Sequence, residues 1–83
     1  MRLQRVAAAE AWLRQQGFAA LRVRSQGESA RIEIPPDQLT ALVEPTLREA
    51  LVATFLGLGF TAVSLDLEGL VSGKLNRDLA THR

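Results

Sequence analysis

Eighty-three residues, 47% of them hydrophobic and 23% charged, suffice for one small domain with a modest core and exclude a second. Ten Lys and Arg against nine Asp and Glu leave a net charge of +1, which excludes charge-driven disorder and a strong general attraction to nucleic acid. With no cysteine and one histidine, disulfides, iron–sulfur ligation, cysteine zinc sites and thiol nucleophiles are excluded as well.

The apolar stretches are broken by charge or Gly before the length a membrane span needs, and the first twenty residues lack a secretory pattern. The expectation is a cytoplasmic protein without a membrane partner.

The first element is an amphipathic helix over residues 3–16, with Leu3, Val6, Ala9 and Leu13 on its apolar stripe and Gly17 at its C-terminal cap. Trp12 lies off the strict stripe and either widens the core face, the favoured reading, or marks a partner contact. Two alternating segments follow, residues 20–24 and 30–34. Leu21, Val23, Ala30, Ile32 and Ile34 point inward, and Arg22, Arg24, Arg31 and Glu33 outward. The polar link from Ser25 to Glu28 makes them a hairpin.

Pro35-Pro36 ends the second strand and opens a helix-start region in which Asp37 serves the first turn and Leu39, Leu42 and Val43 are apolar. Pro45 then fits the first position of a helix over 45–58, with Leu47, Leu51, Phe55 and Leu58 on one face. A third strand over 62–67 alternates Val63, Leu65 and Leu67 inward with Ser64 and Asp66 outward, Glu68 following in the same phase. From Gly69 a loop and a short polar tail remain.

The order helix–strand–strand–helix–strand predicts an α+β fold: a small three-stranded mixed sheet, its last strand reached by a crossover helix, with helices on one face. The other face is expected to be open and polar. The predicted core is Leu13, Leu21, Val23, Ile32, Ile34, Leu47, Leu51, Phe55, Val63 and Leu65.

Parity concentrates charge on the open face. If the hairpin register pairs Arg22 with Arg31, two arginines oppose each other; if it slips by two, Arg24 meets Arg31 and Arg22 meets Glu33. Like charges directly across a sheet are unfavourable, so an anion is expected near them. One source is internal, since Asp66 and Glu68 on the third strand point the same way and an exposed ion-pair grid adds little energy. The other is a phosphate or carboxylate ligand, held by Arg22, Arg24 and Arg31 with Glu33 and Asp66 orienting the guanidiniums. Without aromatic residues interleaved for base stacking, nucleic acid is disfavoured as a partner.

The segment from Gly69 to Leu75 superficially follows a phosphate-binding loop, but it has three residues between its glycines and Leu75 where Ser or Thr would bind magnesium. It reads as a turn bearing Lys74. Gly57-Leu58-Gly59 reads as a helix terminus. Asp66 and Glu68 alone do not close a metal site, and His82 sits in the terminal tail. No pair of residues forms a credible nucleophile and base.

Leu21-Arg22-Val23-Arg24, Gly27, Ala30-Arg31-Ile32-Glu33-Ile34, Leu58-Gly59-Phe60, Leu65-Asp66-Leu67-Glu68-Gly69 and Ser72-Gly73 with Asn76, in that order, resemble the C-terminal domain of the ATP-dependent sacrificial sulfur transferases (LarE type). The resemblance runs from about Val6 to Asn76. It implies a part in making the nickel-pincer cofactor of lactate racemase, by enzymes that adenylate a substrate carboxylate, attach it to a protein cysteine and leave dehydroalanine as sulfur moves to the substrate. It further implies a phosphate-bearing pyridinium mononucleotide as substrate, phosphate held at the positions of Arg22 and Arg24, and assembly into homo-oligomers.

ATP and magnesium belong, on this resemblance, to a preceding domain. These 83 residues contain neither that domain's Ser-Gly-Gly-x-Asp-Ser loop nor a cysteine, so the chain is not expected to catalyse the reaction alone. Ser25 and Gln26 stand where family members often carry histidine, and Leu70, Val71 and Lys74 depart from the family's last block. The expected function is therefore a substrate-phosphate-binding and oligomerisation domain of such a transferase, working with a separate ATPase domain. The alternatives are a stand-alone anion-binding domain and a purely structural oligomerisation module.

Overall fold

In a computed structural model, residues 2–71 of the chain are described, with side chains from residue 4 onward. The expectations for Ser72, Gly73, Lys74, Leu75, Asn76 and His82 lie outside the described residues.

The predicted fold is present. Helix α1 (Arg2–Gln15) leads into strands β1 (Arg22–Gln26) and β2 (Ser29–Glu33), a 3-10 turn at Pro36–Gln38, α2 (Leu39–Leu42), α3 (Pro45–Gly57) and β3 (Ala62–Leu65). The sheet order is β1-β2-β3, with β1 antiparallel and β3 parallel to β2. The parallel pair requires the crossover that α2 and α3 supply. Pro45 occupies the first turn of α3, and the Glu44 side chain caps it by accepting from the Leu47 N–H at 3.0 Å.

Both long helices end alike. After α1, Gly17 takes φ +105° and the Phe18 N–H donates back to the Leu13 carbonyl; after α3, Gly59 takes φ +107° and the Phe60 N–H donates to the Phe55 carbonyl. This left-handed cap satisfies terminal carbonyls and turns the next residue onto the last helical turn. That residue is a phenylalanine in both cases, and Phe18 and Phe60 are buried. The two caps thus deliver two aromatic rings to the core that helical periodicity did not predict.

The core joins Ala9, Leu13, Phe18, Leu21, Val23, Ala30, Ile32, Ile34, Leu42, Leu51, Phe55 and Phe60, with Val6, Trp12, Leu39, Leu47, Leu58, Val63 and Leu65 half-buried against it. Leu47, Val63 and Leu65 were expected deeper. Leu47 lies in the first turn of α3, and Val63 and Leu65 belong to the edge strand. Leu67, expected inward, is 82% exposed. The strand stops at Leu65, and the Asp66 carboxylate accepts from the Glu68 and Gly69 N–H groups at 2.9 and 3.3 Å, a local turn that breaks the alternation.

Arg5, to which periodicity assigned no role, ties three elements together. Its guanidinium donates to the carbonyls of Gly59 (3.0 Å) and Gly27 (3.2 Å), pairs with Glu28 at 3.0 Å and lies 4.4 Å from the centre of the Phe60 ring. Its side chain is only 10% exposed, so the cation–π contact and the carbonyls replace most of its water.

Candidate functional site: the arginine face of the sheet

The hairpin closes through Gly27 and Glu28, with Gln26 paired to Ser29. Residues 22–26 rather than 20–24 therefore form β1, a shift of two that preserves the facing of every side chain. The register selects the second of the two alternatives: Arg22 pairs with Glu33, and Arg24 with Arg31. Across the parallel pair Arg31 faces Ser64, and Asp66 follows just beyond β3, its N–H donating to the Ile32 carbonyl at 2.9 Å. All five predicted site residues are thus brought together on the sheet face opposite the helices.

The arrangement is not an exposed grid throughout. Glu33 is 3% exposed, a correction to the expectation that every polar residue of this face is solvated. Its Oε2 accepts from Arg31 Nη2 at 3.2 Å, and its Oε1 lies 3.6 Å from Arg24 Nε. A buried carboxylate persists only where it is paired or hydrogen-bonded, and here two guanidiniums flank it.

Asp66 takes a lesser part. Its Oδ2 lies 4.0 Å from Arg31 Nε, and that nitrogen is buried without a hydrogen-bond partner among the described residues. The other oxygen of Asp66 is committed to the turn at Glu68 and Gly69. Of the two expected orienting carboxylates, Glu33 makes the close contacts.

Arg22 differs from its neighbours. It is exposed, and although the register sets it opposite Glu33, it has no ion pair among the described residues. Arg24 and Arg31 take the Glu33 oxygens instead. Among the described residues, the paired positions of this face bring together the guanidiniums of Arg22, Arg24 and Arg31 and the carboxylates of Glu33 and Asp66, with Arg22 and Arg24 on the outer strand. Guanidinium forks suit tetrahedral and planar oxyanions.

The outer edge of β1 is partly occupied: Glu10 Oε2 accepts the Val23 N–H at 3.0 Å, and Glu10 Oε1 lies 4.0 Å from Arg14 Nη2. Among the described residues no group of three or more His, Cys, Asp or Glu side chains could hold a metal ion, and no helix is long and apolar enough to cross a membrane.

No family model matches the chain. It is 51% identical over 78 residues to an uncharacterized protein of Synechocystis sp., a match covering 94% of this chain and 29% of that protein. It is 36% identical over 77 residues to a pyridinium-3,5-bisthiocarboxylic acid mononucleotide synthase of Lactiplantibacillus plantarum, covering 93% of this chain and 27% of the synthase. The chain spans less than a third of the length of these curated relatives. Both matches extend over nearly all of it and so span the arginine face.

Proposed function

We propose that this chain acts as the substrate-phosphate-binding part of an ATP-dependent sacrificial sulfur transferase that serves nickel-pincer cofactor biosynthesis. Two lines support the reading. The similarity to a synthase whose product is a mononucleotide points to a ligand with a phosphate, and strand parity independently gathers cations on one face. The observation that carries it is the register: Arg24 faces Arg31 directly while Arg22 is left without an ion pair among the described residues.

In this reading Arg22 and Arg24 grip the phosphate from one strand and Arg31 supports them from the next. Adenylation and sulfur transfer, with their ATP and magnesium, belong to polypeptide outside these 83 residues, which contain no cysteine. Charge-assisted hydrogen bonds contribute on the order of 1.5–3 kcal/mol each before the cost of association. The isolated chain should then bind inorganic phosphate or a pyridine mononucleotide in the millimolar range. Replacing Arg22 and Arg24 together by Ala should weaken that binding roughly a hundredfold, beyond detection by equilibrium titration. Unchanged binding in the double variant would remove the ligand role.

A second reading draws on the burial of Glu33 between two guanidiniums: the face is then an internal ion-pair cluster within a structural module. The double variant separates the two, because the structural reading predicts lost stability and no ligand to lose.

We also propose that copies of the chain self-associate. The β3 edge, Ala62–Leu65, carries neither charge nor proline, the devices that usually protect an edge strand. Val52 and Leu56 are exposed on α3, and a groove of about 210 Å³ between α3 and β3 is lined by Leu42, Leu51, Val63 and Leu65. A second copy fits this surface because a net charge of +1 sets up little repulsion between like molecules. Sedimentation at tens of micromolar should show dimers or larger species, which Val52→Glu with Leu56→Glu should dissociate; a strict monomer would contradict the proposal.

A further inference from the structure

We infer that Glu33 is the positioning residue of the arginine face: its buried carboxylate fixes Arg24 and Arg31 side by side so that their remaining N–H groups point toward one anion. The inference rests on the anion-binding reading above and assigns the buried glutamate a task within it.

Arg24 and Arg31 are direct cross-strand partners, a pairing in which like charges repel and the side chains would splay apart. Glu33 lies two residues from Arg31 on the same strand, hence on the same face, and diagonally from Arg24. It places one oxygen 3.2 Å from Arg31 Nη2 and the other 3.6 Å from Arg24 Nε. One carboxylate thus draws both cations toward a common point.

Burial gives the contact its force. Glu33 is 3% exposed, so its pull on the guanidiniums is screened far less than that of a surface pair. Rotamer freedom is what long side chains lose on binding, and arginines already held lose less at the moment a ligand arrives. Arg24 approaches Glu33 through Nε, which among the described residues leaves its two terminal nitrogens for a ligand. Arg31 uses one terminal nitrogen and keeps the other. Arg22, with no such tether among the described residues, is the adaptable third cation.

Positioning and simple charge balance make opposite predictions. If Glu33 merely offsets positive charge, neutralising it should tighten anion binding; if it orders the arginines, neutralising it should weaken binding. The test follows 15N relaxation at the Nε–H of Arg22, Arg24 and Arg31 in the full 83-residue chain, together with inorganic phosphate titrations of wild type, Glu33→Gln and Glu33→Asp.

In the wild type without phosphate, Arg24 and Arg31 should be ordered and Arg22 mobile. Glu33→Gln should mobilise Arg24 and Arg31, weaken phosphate binding about tenfold and leave the Ile32 and Ile34 methyl signals in place, while Glu33→Asp should recover part of the affinity. Equal mobility of the three arginines in the wild type would overturn the inference with no variant needed. So would phosphate binding that is unchanged or tighter in Glu33→Gln. Should Arg22→Ala with Arg24→Ala leave phosphate binding intact, the anion reading itself fails; should that variant abolish binding while Glu33→Gln does not, only the role of Glu33 fails.

Discussion

Replacing Phe55 by Ala is expected to cost about 3–5 kcal/mol, measured as the shift in unfolding free energy in urea. The ring is fully buried in the last turn of α3 and lies 5.8 Å from the Phe60 ring, tilted by 33°, a geometry that adds to simple burial. Its backbone carbonyl also anchors the cap that delivers Phe60. A cavity here removes contacts from α3 and from the Phe60 ring. Typical stability for 83 residues is roughly 4–12 kcal/mol, so the variant should lose about a quarter or more of the total. A cost under 1 kcal/mol would mean that the ring is not packed as described.

Gly69→Ala should cost about 3 kcal/mol, combining backbone strain with a steric clash. Gly69 has φ +80°, and an added Cβ would collide with the Ile34 carbonyl oxygen while approaching Pro36 to 3.3 Å. The same carbonyl accepts the Leu70 N–H at 2.8 Å, so relieving the clash pulls apart the contact that holds the chain after β3 against the end of β2. Asp66 sits within this turn as well as beside Arg31. Amide exchange should therefore quicken at Leu70 and Asp66 as well as at the substituted position. A Gly69→Ala protein of wild-type stability would show that this turn is not required by the fold.

Periodicity reveals most of the architecture because the elements are amphipathic and bounded by Gly or Pro. Pro45 at the start of α3 and Gly17 after α1 are where the sequence predicts them, and alternation places Arg22, Arg24, Arg31 and Glu33 on one face. Alternation cannot choose between registers that differ by two residues, since both preserve facing. The two-residue turn at Gly27 and Glu28 makes that choice.

Other features escape for identifiable reasons. Phe18 and Phe60 follow a helix and precede a strand, so neither period claims them; the recurring Gly-Phe after each helix is the signal that would have found both. Leu67 continues the β3 pattern in sequence, but the side chain of Asp66 competes for the backbone and stops the strand. Arg5 and Glu33 look like solvated charges in any pattern of hydropathy. Their burial depends on partners distant in sequence, Gly27, Glu28 and Gly59 for Arg5 and Arg24 for Glu33, which no local window contains.

The account centres on the arginine face as a phosphate site, and the most direct measurement is a titration of the 15N-labelled chain with a pyridine mononucleotide, repeated with the same nucleoside lacking its phosphate. The account predicts saturable amide shifts at residues 22–24 and 31–33 with the mononucleotide, in the millimolar range, and none with the nucleoside. Residues 22–24 and 31–33 remaining still with both, or shifting equally with both, would contradict it.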